Sequence, residues 1–204
     1  KIFCSGHSLT EVKGMMNDKN VQAQEKLFAQ CSMMMKQIQK ISKPAIAKVR
    51  GVATAAGNQL VASCDLAYGS EDSRYALPGA NIGLFCHTPQ VAVSRTIGRK
   101  ATMEMLLSGE MIDAAKAEKI GLINKVISSA DLDSEVEKVC ETINQKSAEV
   151  IAQGKRSFYR QIEMGLTDAY AVTSQNMVKN LELNDANEGI SSFLEKRKPE
   201  WTND

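Results

Sequence analysis

Between residues 51 and 65 the chain reads GVATAAGNQLVASCD, and that run narrows its choice of fold more than any other. Small residues at Ala53, Ala55, Ala56 and Gly57 lie between a short apolar run, residues 45–49, and a helix-like stretch, residues 59–63. Residues without bulk let one backbone approach another closely, so this is a turn into a helix, pressed against a neighbour. N–H groups at the start of a helix have no partner within it, and the dipole adds positive potential there. The small residues therefore serve either tight helix–strand packing alone, or the holding of an anion or a developing oxyanion. A second element, Phe3-Cys4-Ser5-Gly6-His7-Ser8-Leu9, has the same strand-to-turn character. Gly6 admits a conformation closed to other residues, which lets the next N–H, that of His7, face a ligand. An oxyanion hole needs two converging donors, and these two turns are able to supply them.

The remaining pattern alternates short strands with helices. Residues 2–4 read as a strand and 45–49 as a buried one. From about 20 to 41, Leu27, Cys31, Met34, Met35, Ile38 and Ile41 recur at helical spacing, and Pro44 stops that helix. Residues 65–68 and 75–77 look like further strands. Thr88-Pro89 is a helix start, with Thr88 as cap and proline at the first helical position, and Gly98 is its expected left-handed stop. Helices follow at 100–107, 113–119, 132–145, 148–164, 166–183 and 186–196, with Asp113 as a cap, Gly121 as a stop and one more short strand at 123–127. The fold class is α/β, with a core over 1–130 and a helical C-terminal region over 131–204 and no linker between them.

Charge narrows the partners. Lys and Arg total 25 against 24 Asp and Glu, which argues against a nucleic-acid binder. No stretch approaches the apolar length of a membrane span. The five cysteines are spread without a C-x-x-C, and the only histidines are His7 and His87, so no metal site and no disulfide framework are expected. The ten methionines, Met33–Met35 among them, read as adaptable core or interface filling.

FCSGHSL, KPAIAKVRGVATAAGNQLVASCDLA and YALPGANIGL, followed at the end by EGISSFLEKRKPEW, resemble the crotonase (enoyl-CoA hydratase/isomerase) superfamily in order and spacing across essentially all 204 residues. The resemblance implies a spiral of ββα turns with a C-terminal helical trimerisation region, as a homotrimer or dimer of trimers. It implies binding of acyl-CoA thioesters in fatty-acid and lipid metabolism, with CoA as part of the substrate and no separate cofactor. Two main-chain N–H groups would form the oxyanion hole: His7, after Ser5 and Gly6, and Ala56, with Gly57 beside it. Because both donors are backbone groups, side-chain replacement need not abolish them.

The family's hydratases also use two glutamates, and this chain has Gln59 and Gly79 at those positions. Glutamine orients water but takes up no proton near neutrality, and glycine offers nothing. Little ordinary hydratase activity is therefore expected, and restoring both glutamates is expected to create some. The alternatives are a catalytically silent homologue that binds acyl-CoA or a protein, and a thioester hydrolase using Cys86 as nucleophile and His87 as its proton partner. Asp65, Glu71 and Asp72 read as surface or structural carboxylates. Phe193 and Lys196, with Arg197 and Lys198, stand where the family's last helix helps a neighbouring subunit hold CoA. The resemblance also implies the mitochondrial matrix, or the cytoplasm for a bacterial source. The start at Lys1, directly in a strand, suggests that the first strands of the spiral lie upstream.

Overall fold

The computed structural model describes residues 1–203. They form two compact units, one of residues 1–38 and 45–136, the other of residues 39–44 and the chain from Glu137 onward.

The first unit repeats one theme. β2 (Ile46–Val49) and β3 (Val52–Thr54) are followed by α3 (Ala56–Ser63). β4 (Leu66–Ser70) and β5 (Arg74–Ala76) are followed by a 3-10 turn (Pro78–Ile82), α4 (Pro89–Thr96) and α5 (Arg99–Ser108). Last come β6 (Ile112–Asp113), α6 (Ala114–Lys119) and β7 (Lys125–Ile127). Each turn of the chain contributes one strand to each of two sheets. β1 (Ile2–Cys4), β3, β5 and β6 form one, and β2, β4 and β7 the other. Pairings are parallel except β5 with β6. This is the ββα spiral expected of the sequence. Parallel strands covered on both faces need apolar residues on both sides, and Val49, Ala53, Ala67, Tyr75 and Leu77 are accordingly buried in one core with Val61, Val93 and Leu106.

Several elements differ from the sequence reading. Val52–Thr54 is a strand rather than part of a turn, and α3 starts at Ala56 instead of Gln59. α1 (Leu9–Asn17) was not expected; it is capped by Ser8, which accepts from the Glu11 N–H at 3.4 Å. Leu9, Val12, Met15 and Met16 recur at helical spacing over these two turns, but none of the helix's residues is buried. α2 (Val21–Lys40) follows where helical spacing placed it. Thr88 lies in the α region and its side chain makes no cap bond, so proline alone marks that start. Gly98 is extended (φ −61°, ψ 148°) and precedes α5 as its N-cap; the preceding helix ends on the extended Ile97. Asp113 caps α6 by accepting from the Lys116 N–H at 2.8 Å, and Gly121 has the expected positive φ of 82°.

The second unit holds the later part of α7 (Leu132–Asn144), then α8 (Ala148–Gln161), α9 (Leu166–Leu181) and α10 (Asn184–Leu194). Polar bonds tie its end in place. Buried Asp185 accepts from Thr202 N–H at 2.7 Å, Thr202 Oγ1 at 2.9 Å and Asn203 N–H at 3.1 Å. Glu188 receives both terminal nitrogens of Arg197, at 2.6 and 2.8 Å, and the Glu200 N–H at 2.8 Å. Those partners, Arg197 first, lower the Glu188 carboxyl from 4.5 to about 2. A depressed folded-state value contributes stability above the unfolded value and loses it as pH falls through the folded one. The thermal midpoint should therefore drop as pH is lowered from 4.5 toward 2, with Asp185, also depressed, adding to the fall below 3.8. Glu188→Gln should flatten the Glu188 share of that slope, measured by circular dichroism melts across the range.

Candidate active site

The two turns singled out in the sequence meet. Gly6 has φ of +84°, and a Cβ built on it would lie 3.0 Å from the Ala56 nitrogen and 3.3 Å from the Ala56 Cβ. Gly57 sits still closer to β1: a Cβ there would overlap the carbonyl of Cys4 and lie 2.9 Å from its Cβ. Only glycine lets the first turn of α3 press onto the end of β1 in this way. Ala55, the N-cap of α3, holds φ 50° and ψ −120°, a conformation that glycine prefers and alanine adopts under strain. Its N–H donates to Ala76 O at 3.1 Å and its carbonyl accepts from Gln59 N–H at 3.0 Å, so both neighbours hold it there. Among the described residues, neither the His7 N–H nor the Ala56 N–H has a hydrogen-bond acceptor.

Both turns open on a cavity of about 320 Å³ lined by Cys4, Gly6, His7, Ala56 and Leu60 and by Leu27, Gln30, Cys31, Met34 and Met35 of α2. The lining has no carboxylate, amine or guanidinium group. It is a largely apolar trough, and both His7 and Ala56 are among its lining residues. The His7 ring stands edge-to-face with Phe28 at 5.4 Å and 85°, and its buried Nε2 has no hydrogen-bond partner. Gln59 is 4% exposed and accepts a hydrogen bond from the Cys31 thiol, with Sγ 3.9 Å from Oε1. Burial, and then nearby Cys4, push the Cys31 thiol above its ordinary value.

Other expected residues lie elsewhere. Gly79, in the 3-10 turn, does not line the cavity; a Cβ there would lie 2.9 Å from Leu84 O and 3.0 Å from Cys86 Sγ. Cys86 is 6% exposed within the core, its thiol pushed up by burial, while His87 is exposed and packs on Phe85 at 5.2 Å. A buried, protonated thiol and an outward imidazole do not make the nucleophile pair considered in the sequence reading. Ser5 is exposed and its carbonyl accepts from Thr54 Oγ1 at 3.5 Å. Asp65, Glu71 and Asp72 are structural, accepting from Ala45 N–H, Ser129 N–H and Ser129 Oγ respectively. Phe193 and Lys196 are exposed in the second unit, where a separate cavity of about 340 Å³ between α8 and α9 includes neither. Sequence reasoning missed the α2 wall. Its signal was the spacing of Leu27, Cys31, Met34 and Met35, which marks a packed face without saying that a cavity faces it.

Among the described residues, no three His, Cys, Asp or Glu side chains gather to hold a metal ion, and no helix is long and apolar enough to cross a membrane.

Two substitutions test the turn. Gly57→Ala should destabilise the protein by about 3 kcal/mol or more, because backbone rather than a flexible side chain must yield. Ala55→Gly should stabilise it by about 1 kcal/mol, strain relief outweighing the added freedom of the unfolded chain. Urea denaturation measures both.

The sequence pattern described as enoyl-CoA hydratase/isomerase matches residues 1–204. The chain is 47% identical over 201 residues to enoyl-CoA hydratase domain-containing protein 3, mitochondrial, of Xenopus laevis, covering 98% of this chain and 67% of that protein. It is 44% identical over 203 residues to the Homo sapiens protein of the same name, covering 100% and 66%. The chain thus spans about two thirds of the length of these curated relatives. Among solved structures, an enoyl-CoA hydratase of Mycobacterium smegmatis superposes with a TM-score of 0.94 at 48% identity, over 98% of this chain and 77% of that one. The human domain-containing protein 3 gives 0.92 at 46%, over 97% and 77%.

Proposed function

This chain belongs to the enoyl-CoA hydratase/isomerase family, and we propose that its cavity binds an acyl-CoA thioester whose carbonyl oxygen accepts from the His7 and Ala56 N–H groups. The observation that carries this reading is the meeting of two unpaired main-chain donors at the edge of an apolar trough. Donors fixed before the substrate arrives stabilise charge on a thioester oxygen without reorganising, and they act most strongly where water is excluded. Gly6, Gly57 and the strained Ala55 hold these donors in place, while Leu27, Met34, Met35 and Leu60 suit an acyl chain.

Ordinary hydration is not the reaction. It requires a base for water and an acid for carbon, and Gln59 and Gly79 stand at the positions of the family's two glutamates. Gln59 Oε1 is engaged by Cys31, and the space beside Gly79 is taken by Leu84 and Cys86. Restoring both glutamates therefore requires the 84–86 segment to move, so the paired substitution yields hydration only with that rearrangement. The absence of any carboxylate from the lining also favours the second reading, a homologue that binds acyl-CoA without turning it over. The mitochondrial names of the relatives support a mitochondrial setting, and the matrix is the compartment proposed within it. A role in fatty-acid metabolism, assembly as a homotrimer or dimer of trimers, and contact of Phe193 and Lys196 with a neighbouring subunit's CoA complete the proposal.

Calorimetry with acetoacetyl-CoA tests binding, and a saturable exothermic or endothermic titration is expected. Each general acid or base is worth about 10²–10⁴-fold, so crotonyl-CoA hydration should run at least about 10⁴-fold below a hydratase with both glutamates. Absence of binding, or hydration at an ordinary hydratase rate, would overturn the reading.

A further inference from the structure

The trough has two unlike ends, and the difference bears on how long an acyl chain it holds. Its α2 wall runs from Leu27 to Met35, a length of about 12 Å at about 1.5 Å per helical residue. The Leu27 end is open: Gln30 is exposed and Leu27 itself is half-buried. The Met35 end is closed. Met35 is 7% exposed and shares one buried cluster with Cys31 and Ala56, against which Ile38 and Leu60 pack. The His7 ring stands beside Phe28, whereas Ala56 belongs to the Met35 cluster, so a carbonyl held by both N–H groups faces the middle of this wall. The long, polar CoA arm then leaves by the open end beside Gln30, and the acyl chain turns toward Met35.

We propose that Met35 ends the acyl chain and limits it to about six to eight carbons, which makes medium-chain acyl-CoA thioesters the substrate class of this site. This rests on the reading of the cavity as an acyl-CoA site.

Volume sets the limit. An apolar cavity of about 150 Å³ takes benzene, with its six carbons, so about 320 Å³ takes about thirteen atoms of that size. The carbonyl oxygen, the sulfur and the first atoms of the CoA arm use about five of them, and about eight carbons or fewer remain for the acyl group. Met35 carries an unbranched thioether that fills irregular apolar space and makes no polar demand on a chain end. Ile38, one turn further along α2, packs against the same cluster and closes the way past it.

Calorimetry with butyryl-, hexanoyl-, octanoyl- and dodecanoyl-CoA tests the limit. Affinity should rise about fourfold per added methylene as far as hexanoyl or octanoyl, and by no more than about twofold in all from octanoyl to dodecanoyl. Met35→Ala should carry the rise on to dodecanoyl, and Met35→Phe should leave hexanoyl-CoA binding no tighter than butyryl-CoA. Met33→Ala, on the same helix but exposed and outside the lining, should leave the break where it is. A rise at full slope through dodecanoyl on the unsubstituted chain, which takes the tail out past exposed Met34, overturns the proposal. So does affinity that ignores chain length. A break that stays in place in the Met35 variants, or moves in Met33→Ala, overturns the role of Met35. Met35→Ala also removes core packing, so Met35→Phe and the unsubstituted series decide the matter if that variant fails to fold. Binding without a break sinks only the chain limit, and no binding by any member of the series sinks the acyl-CoA reading as well.

Discussion

The contact between Gly57 and the carbonyl of Cys4 sets the geometry on which the rest of the first unit depends. Two backbones meet where no Cβ fits, and that meeting fixes the distance between the end of β1 and the first turn of α3. The register of β1 on β3, Ile2 with Val52 and Cys4 with Ala53, carries the same constraint along the sheet. Gly51 repeats it at the other end, where a Cβ would overlap the carbonyl of Lys1. With both ends pinned, the turn after β1 has one place to go, and Gly6 brings it back over Ala56. The strain at Ala55 is tolerated because β5 and α3 hold its N–H and carbonyl from opposite sides.

What was legible in the sequence follows from whether the signal is local. A crowd of small residues between an apolar run and a helix can hardly be anything but a close approach, and residues 53–57 carried that directly. Helix spacing located α2 because it persists over 20 residues; in α1 the same spacing, Leu9, Val12, Met15 and Met16, covers only nine and is broken by Gly14. Gly98 misled because glycine serves two opposite purposes: it ends helices in a left-handed conformation and also tolerates the extended one that begins them. At Thr88 the cap residue type is present but the backbone is already helical, so its hydroxyl cannot reach back to the first turn.

The cavity was legible only on its main-chain side. His7 and Ala56 belong to turns with their own sequence marks, whereas the wall across from them comes from residues 27–35, whose spacing reads equally well as an interior face. Cys86 and Cys31 illustrate the difference. Proximity to a helix start drew attention to Cys86, and the fold buries it under Gly79. Cys31 looked like one apolar position among several, and it lines the trough together with Cys4.

Gln59 and Gly79 differ in how far each has been built into its surroundings. Gln59 lies within α3: its main-chain carbonyl accepts from Ser63 Oγ at 2.7 Å, and its side-chain Oε1 accepts from the Cys31 thiol. Gly79 is a backbone commitment, since Leu84 and Cys86 have closed over the space that a side chain would need. On the proposed reading, a reversion at Gln59 alone is sterically easy but returns one carboxylate to a buried place beside a neutral thiol, where desolvation disfavours its charge. On that same reading the site would combine main-chain donors, held by the glycine contacts, with a lining that has no carboxylate to move protons.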